Sequence, residues 1–114
     1  MNIDEWLRKF KEYWQKHDVS GVMDLFDKNV VYYETPFNKI DGLNSLAKEW
    51  EGIKTQKSIS LNFEIFSRDK NRYSVIFKLK YNKENTEQNR GGTYLIELNE
   101  AGLCIYFHHS CESM

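Results

Sequence analysis

Two runs of strict alternation limit what this chain can become. Ile59, Leu61, Phe63 and Ile65 are separated by Ser60, Asn62 and Glu64, and Tyr73, Val75, Phe77, Leu79 and Tyr81 then repeat the pattern around Ser74, Lys78 and Lys80. A period of two places each apolar set on one face of a strand. The polar stretch Arg68-Asp-Lys-Asn71 between them predicts a turn, so the pair reads as a long antiparallel hairpin with one apolar face. Such a face must be covered by another layer.

The first half of the chain supplies the cover. Asp4 is placed to cap a helix in which Trp6, Leu7, Phe10, Tyr13, Trp14 and His17 recur at helical spacing, with Arg8, Lys9, Lys11 and Glu12 on the other side. His17-Asp-Val-Ser-Gly21 breaks it, and Ser20 restarts a short helix carrying Val22, Met23, Leu25 and Phe26. Asn29-Val-Val-Tyr-Tyr-Glu-Thr-Pro-Phe37 then reads as a strand entering a turn. The polar stretch Asn38–Gly42 reads as a loop, and Leu43 to about Trp50 as a third helix. After the hairpin, Asn82–Asn89 is polar and predicts an exposed loop. Gly91–Leu98 is the next strand, Asn99–Gly102 a turn, and Leu103 to about Ser110 the last strand. Gly91 and Gly92 mark a bend where the sheet curls. The whole chain, 1–114, is one domain. Its class is α+β: three helices from the N-terminal half packed on a curved antiparallel sheet, with the space behind the sheet either filled or left as a pocket.

Charge narrows the function. Sixteen basic residues against 17 acidic ones, spread along the chain, leave no basic stripe for nucleic acid. No apolar run approaches the ~20 residues of a membrane span. Met1-Asn-Ile-Asp-Glu5 lacks the features of a signal peptide, so a cytoplasmic location is expected. Cys104 and Cys111 lie seven apart on one strand, hence on opposite faces, and are expected as free thiols. His109, Cys111 and Glu112 crowd one strand end with no matching ligands elsewhere, so no metal site is expected. Neither a phosphate-cradling glycine loop nor a Gly-x-Ser-x-Gly elbow is present, and no cofactor is expected.

Aromatic residues make up 15% of the chain, and most sit at positions whose spacing predicts burial, which suits a pocket for a small apolar or aromatic molecule. Phe10, Tyr13, Trp14, Tyr33, Trp50, Tyr94 and Phe107 are the expected wall, with Thr35 and His109 as inward polar tips. Parity groups His109 with Leu103, Ile105 and Phe107 on the inner face and His108 with Cys104 and Tyr106 on the outer one. His109 is then a candidate general base or polar anchor, unless it only hydrogen-bonds a neighbour at the rim. Glu34 should point away from Thr35 as a capping or surface carboxylate, and Glu64 and Glu97 should lie on the outer face.

The ordered set Trp6, Tyr13-Trp14, Asp18, Leu25-Phe26, Val30-Val-Tyr-Tyr33, Thr35-Pro-Phe37, Gly42, Trp50 and Gly102 before a last strand resembles the SnoaL-like branch of the nuclear transport factor 2-like superfamily. The resemblance runs over nearly the whole chain and rests on combined order rather than on one motif. It implies a cone-shaped α+β barrel with a hydrophobic pocket, pairing as a homodimer through the outer face of the sheet. Members include ketosteroid isomerases, polyketide cyclases, epoxide hydrolases and dehydratases, and others that only bind or assemble. Carried over from the isomerases, the helix-one tyrosine falls on Phe10, the base before the proline on Thr35, and a strand aspartate on Tyr94. Thr35 cannot accept a proton near neutral pH, so that isomerase mechanism is not expected. An acid–base route would instead use His109, with Tyr94 or Tyr13 donating to developing negative charge. The competing expectation is an assembly domain acting through Lys78, Lys80, Glu97, Tyr106 and His108 on the outer sheet.

Overall fold

Helix α1 spans Ile3–Gln15 in a computed structural model that describes Met1–Met114. Asn2, not Asp4, is its cap: the Asn2 side chain accepts the Glu5 N–H at 2.8 Å, while Asp4 and Glu5 occupy the first turn, where the helix dipole favours negative charge. The helix stops just before His17, which takes a left-handed φ of 58°. Asp18 caps α2, Val19–Met23, by accepting the Gly21 N–H at 2.9 Å. Phe26 does not continue that helix but opens strand β1, Phe26–Thr35. Pro36 and Phe37 then reverse the chain into a short strand β2, Asn38–Ile40, where the sequence reads as loop. Helix α3, Leu43–Trp50, runs into a 3-10 turn at Glu51–Thr55.

Strands β3 (Lys57–Asp69), β4 (Arg72–Lys83), β5 (Thr86–Leu98) and β6 (Cys104–Ser113) complete one six-stranded sheet in the order β2-β1-β6-β5-β4-β3. The α+β arrangement is the expected one, but the sheet is mixed and open. β1 runs parallel to β6, and the edge strands β2 and β3 do not meet. A helix and four further strands separate β1 from β6, so no tight turn sets their relative direction and alternation cannot read it. The expected loop at Asn82–Asn89 is a hairpin: Glu84 and Asn85 both take positive φ, 52° and 63°, as a two-residue turn of type I′ requires, and the strands continue on either side. These residues are mostly solvent-exposed, so they carry no apolar alternation to announce a strand.

The core lies between α1 and the inner face of the sheet. Trp6, Phe10, Tyr94 and Phe107 are almost wholly buried, and Phe10 sits 5.0 to 6.1 Å, centroid to centroid, from rings on α1, α3, β3, β5 and β6. The β5–β6 register shifts between Glu97 and Leu98. That bulge reverses the side-chain parity early in β6, so Cys104 is fully buried instead of facing outwards, and the argument placing the two cysteines on opposite faces fails. Both are free thiols. Gly91 and Gly92 lie within β5, opposite Lys78 and Phe77 of β4 and Glu112 and Cys111 of β6. A Cβ on Gly92 would fall 1.9 Å from the Ser110 carbonyl oxygen, so the two strands approach more closely than any side chain permits.

Candidate functional site

A cavity of about 240 Å³ opens between α1, α3 and the sheet. Of the nine residues expected to line it, Phe10, Trp14, Trp50, Tyr94, Phe107 and His109 do so, and Tyr13, Tyr33 and Thr35 do not. Tyr13 packs on the α2 side, where a Cβ on Gly21 would come within 2.5 Å of its ring. In β1 the inward series is Val30, Tyr32 and Glu34. Tyr33 therefore faces outwards, over Tyr106 and His108 at 6.2 and 5.3 Å, and Thr35 is exposed beyond a bulge. Glu34, expected to point away, is instead in the cavity wall. The sequence could not choose between these parities because Val30-Val31 and Tyr32-Tyr33 offer similar side chains to both faces.

Polar groups converge on this ring-lined space. The His109 Nδ1 lies 2.7 Å from the Glu34 carbonyl oxygen. A carbonyl only accepts, so Nδ1 carries the proton and the neutral ring turns a basic lone pair out at Nε2. Burial lowers the His109 pKa below 6.5, opposed by that hydrogen bond. Burial also raises the Glu34 carboxyl above 4.5, with the charge of Glu49 adding to the effect. The phenols of Tyr32 and Tyr94 are pushed well above their usual value, first by burial and then by Glu34 for Tyr32 and by Tyr32 for Tyr94. Both remain protonated donors at neutral pH. Trp14 donates its indole N–H to Gln56 Oε1 at 2.8 Å, fixing one wall. Glu34, Gln56 and Arg90 are polar members that sequence reasoning missed. Arg90 had a usable signal, since it stands four residues before Tyr94 and so shares its parity.

These shifts make a pH prediction. Below pH 6.5 the unfolded chain takes up a proton that folded His109 resists, so its contribution to stability is lost as pH falls through that value towards the lower folded pKa. Glu34 acts oppositely: its folded form holds a proton above 4.5, so acidification towards that value restores stability. The urea midpoint of the wild type should therefore fall more steeply below pH 6.5 than that of His109→Asn. Superimposable profiles would show that His109 is not held neutral by the fold.

Three helices over a bent six-stranded sheet, with a ring-lined cavity between the layers, constitute the nuclear transport factor 2-like fold. Among solved structures, a Δ5-3-ketosteroid isomerase from Mycobacterium sp. matches with a TM-score of 0.79 at 15% identity, covering 98% of each chain. RV0760c from Mycobacterium tuberculosis matches with 0.79 at 17% identity, covering 96% of this chain and 93% of that one. The epoxide hydrolase/cyclase-like enzyme SalBIII, from salinomycin pyran-ring formation, matches with 0.81 at 9% identity, covering 96% and 89%. No family model matches the sequence, and no curated protein does. No helix is long and apolar enough to cross a membrane.

Proposed function

We propose that this chain binds a small, largely apolar, ring-bearing molecule in the cavity behind its sheet. The observation that carries this reading is the cavity itself, walled by Phe10, Trp14, Trp50, Phe77, Tyr94 and Phe107 and tipped by a few polar groups. That is the composition of a small-molecule site. At about 240 Å³ it lies under the ~300 Å³ where sites for drug-sized ligands begin, which favours a compact ring system over an extended one. Structural neighbours lend support: one structure of RV0760c holds estradiol-17β-hemisuccinate, and another neighbour is a computationally designed 17-OHP binder.

Titrating the labelled protein with naphthol tests the reading by NMR. The indole N–H signals of Trp14 and Trp50, which line the cavity, should shift saturably, and that of Trp6, which does not, should stay. Cys111→Phe, which fills the wall, should abolish the shifts. Fixed Trp14 and Trp50 signals at millimolar naphthol would sink the proposal.

A catalytic version is favoured by one observation, the His109 ring whose Nδ1 is engaged and whose Nε2 lone pair is free. His109 would take a proton from the bound molecule while the Tyr94 phenol donates to the negative charge that develops. Turnover of a hydroxylated or carbonyl compound that survives His109→Asn would remove this version and leave binding intact.

A further inference from the structure

Arg90 differs from the other three arginines of the chain. Arg8 pairs with Glu12, Arg68 with Asp4 and Arg72 with Glu97, all at the surface. Arg90 has no carboxylate partner and lines the cavity instead, beside Glu34, His109 and Cys111. It sits on β5 opposite Leu79 of β4, in the inward series that continues through Gly92 to Tyr94. Gly92 presents no side chain between them, so guanidinium and phenol share one open stretch of wall. Arg90 Nε is the single buried side-chain nitrogen or oxygen without a hydrogen-bond partner.

A guanidinium keeps its charge at any ordinary pH and offers five N–H donors in a planar fork. Burying one of those donors without a partner is costly, and Arg90, half-buried with its Nε inaccessible, calls for an explanation. The neighbours do not neutralise it. Arg90 favours the thiolate of Cys111, but burial outweighs it and raises that thiol, and its charge adds to the burial that holds His109 neutral. Glu34 lies in the same wall, but its pKa moves up, the opposite of what a paired guanidinium would impose.

We propose that Arg90 anchors a carboxylate carried by the ligand, so that the cavity takes a compact aromatic or alicyclic monocarboxylic acid, its ring against Trp14, Trp50 and Tyr94. This rests on the pocket reading above and names the class of molecule. A carboxylate matches the planar fork in two parallel hydrogen bonds. Its single charge suits the one half-buried guanidinium of a wall that also holds Glu34 and, at the exposed rim, Lys83 and Glu49, whereas a phosphate monoester, at nearly two negative charges, would face those carboxylates with its second charge less well matched.

Naphthoate and naphthamide present the same rings with and without the charge. Followed through the Trp14 and Trp50 indole signals at neutral pH, naphthoate should bind wild type about tenfold tighter or more. Arg90→Met should bring naphthoate to the level of naphthamide and leave naphthamide unchanged, and Arg90→Lys should restore part of the difference. Equal binding of the two by wild type, or naphthoate binding that survives Arg90→Met, would overturn the anchor while leaving the pocket standing. Naphthyl phosphate binding tighter than naphthoate would overturn the choice of carboxylate. Silence of those signals with naphthoate, naphthamide and naphthol alike would overturn both readings. The wild-type comparison decides even where a variant fails to fold.

Discussion

Trp6→Ala is expected to unfold at a far lower urea concentration than the wild type. Trp6 has no exposed surface, and its ring meets Phe10 at 5.0 Å, Phe26 at 5.6 Å and Phe107 at 6.2 Å, joining α1 to β1 and β6. Truncating a buried tryptophan costs about 3–5 kcal/mol. The indole N–H also donates to the Leu25 carbonyl at 2.9 Å. That carbonyl keeps a second donor, the Cys104 N–H at 2.9 Å, so losing the indole bond adds only ~1 kcal/mol. Against a total stability of about 5–15 kcal/mol for a domain, the sum removes a third or more. Trp6→Phe keeps most of the packing and should cost clearly less. Urea unfolding followed by far-ultraviolet circular dichroism measures both, and an alanine variant with the wild-type midpoint would refute the place given to Trp6.

Gly92→Ala should be nearly as damaging with the addition of one methyl group. The new Cβ would stand 1.9 Å from the Ser110 oxygen, 2.8 Å from its carbonyl carbon and 2.9 Å from the Cys111 Cα. All three are backbone atoms and cannot rotate away, so β5 and β6 must part where Thr93 pairs with Ser110 and Gly92 with Cys111. Overpacking of this kind costs roughly 1–3 kcal/mol or more, and the expected loss is above ~10 °C in thermal midpoint. Gly91→Ala is the control. Its Cβ would meet the Phe77 carbonyl at 3.3 Å and otherwise only the flexible Met114 side chain, so a change of a few degrees is expected. Equal behaviour of the two variants would show that the strand approach at Gly92 is not what shapes the sheet.

Regular alternation and helical spacing located the β3–β4 hairpin, α1 and α3 because each has one buried and one solvated face, which is the condition under which periodicity is visible. The site was only partly legible. Phe10, Trp14 and Trp50 were found because helices announce their buried face through spacing. On β1 both faces carry similar residues at 30 to 33, so Glu34 and Thr35 exchanged places. Bulges alter parity, and none of those here carries a sequence marker: the one before Tyr106 put Cys104 inside, and the one after Tyr33 accompanies the exposed Thr35. Arg90 went unnoticed because it follows the polar stretch Asn82–Asn89, which reads as loop until the Glu84-Asn85 turn shows strand on both sides.

The position of β6 bears on how the molecule comes into being. It is the last of the six strands to be synthesised yet lies third in the sheet, between β1 and β5. A growing chain thus holds two unfilled strand edges, and Glu34 waits for His109, 75 positions later, until β6 is in place. Ligand capture must wait for that strand, which brings Phe107 and His109 to the cavity, and the greatest hazard of self-association falls in the interval just before it slots into place.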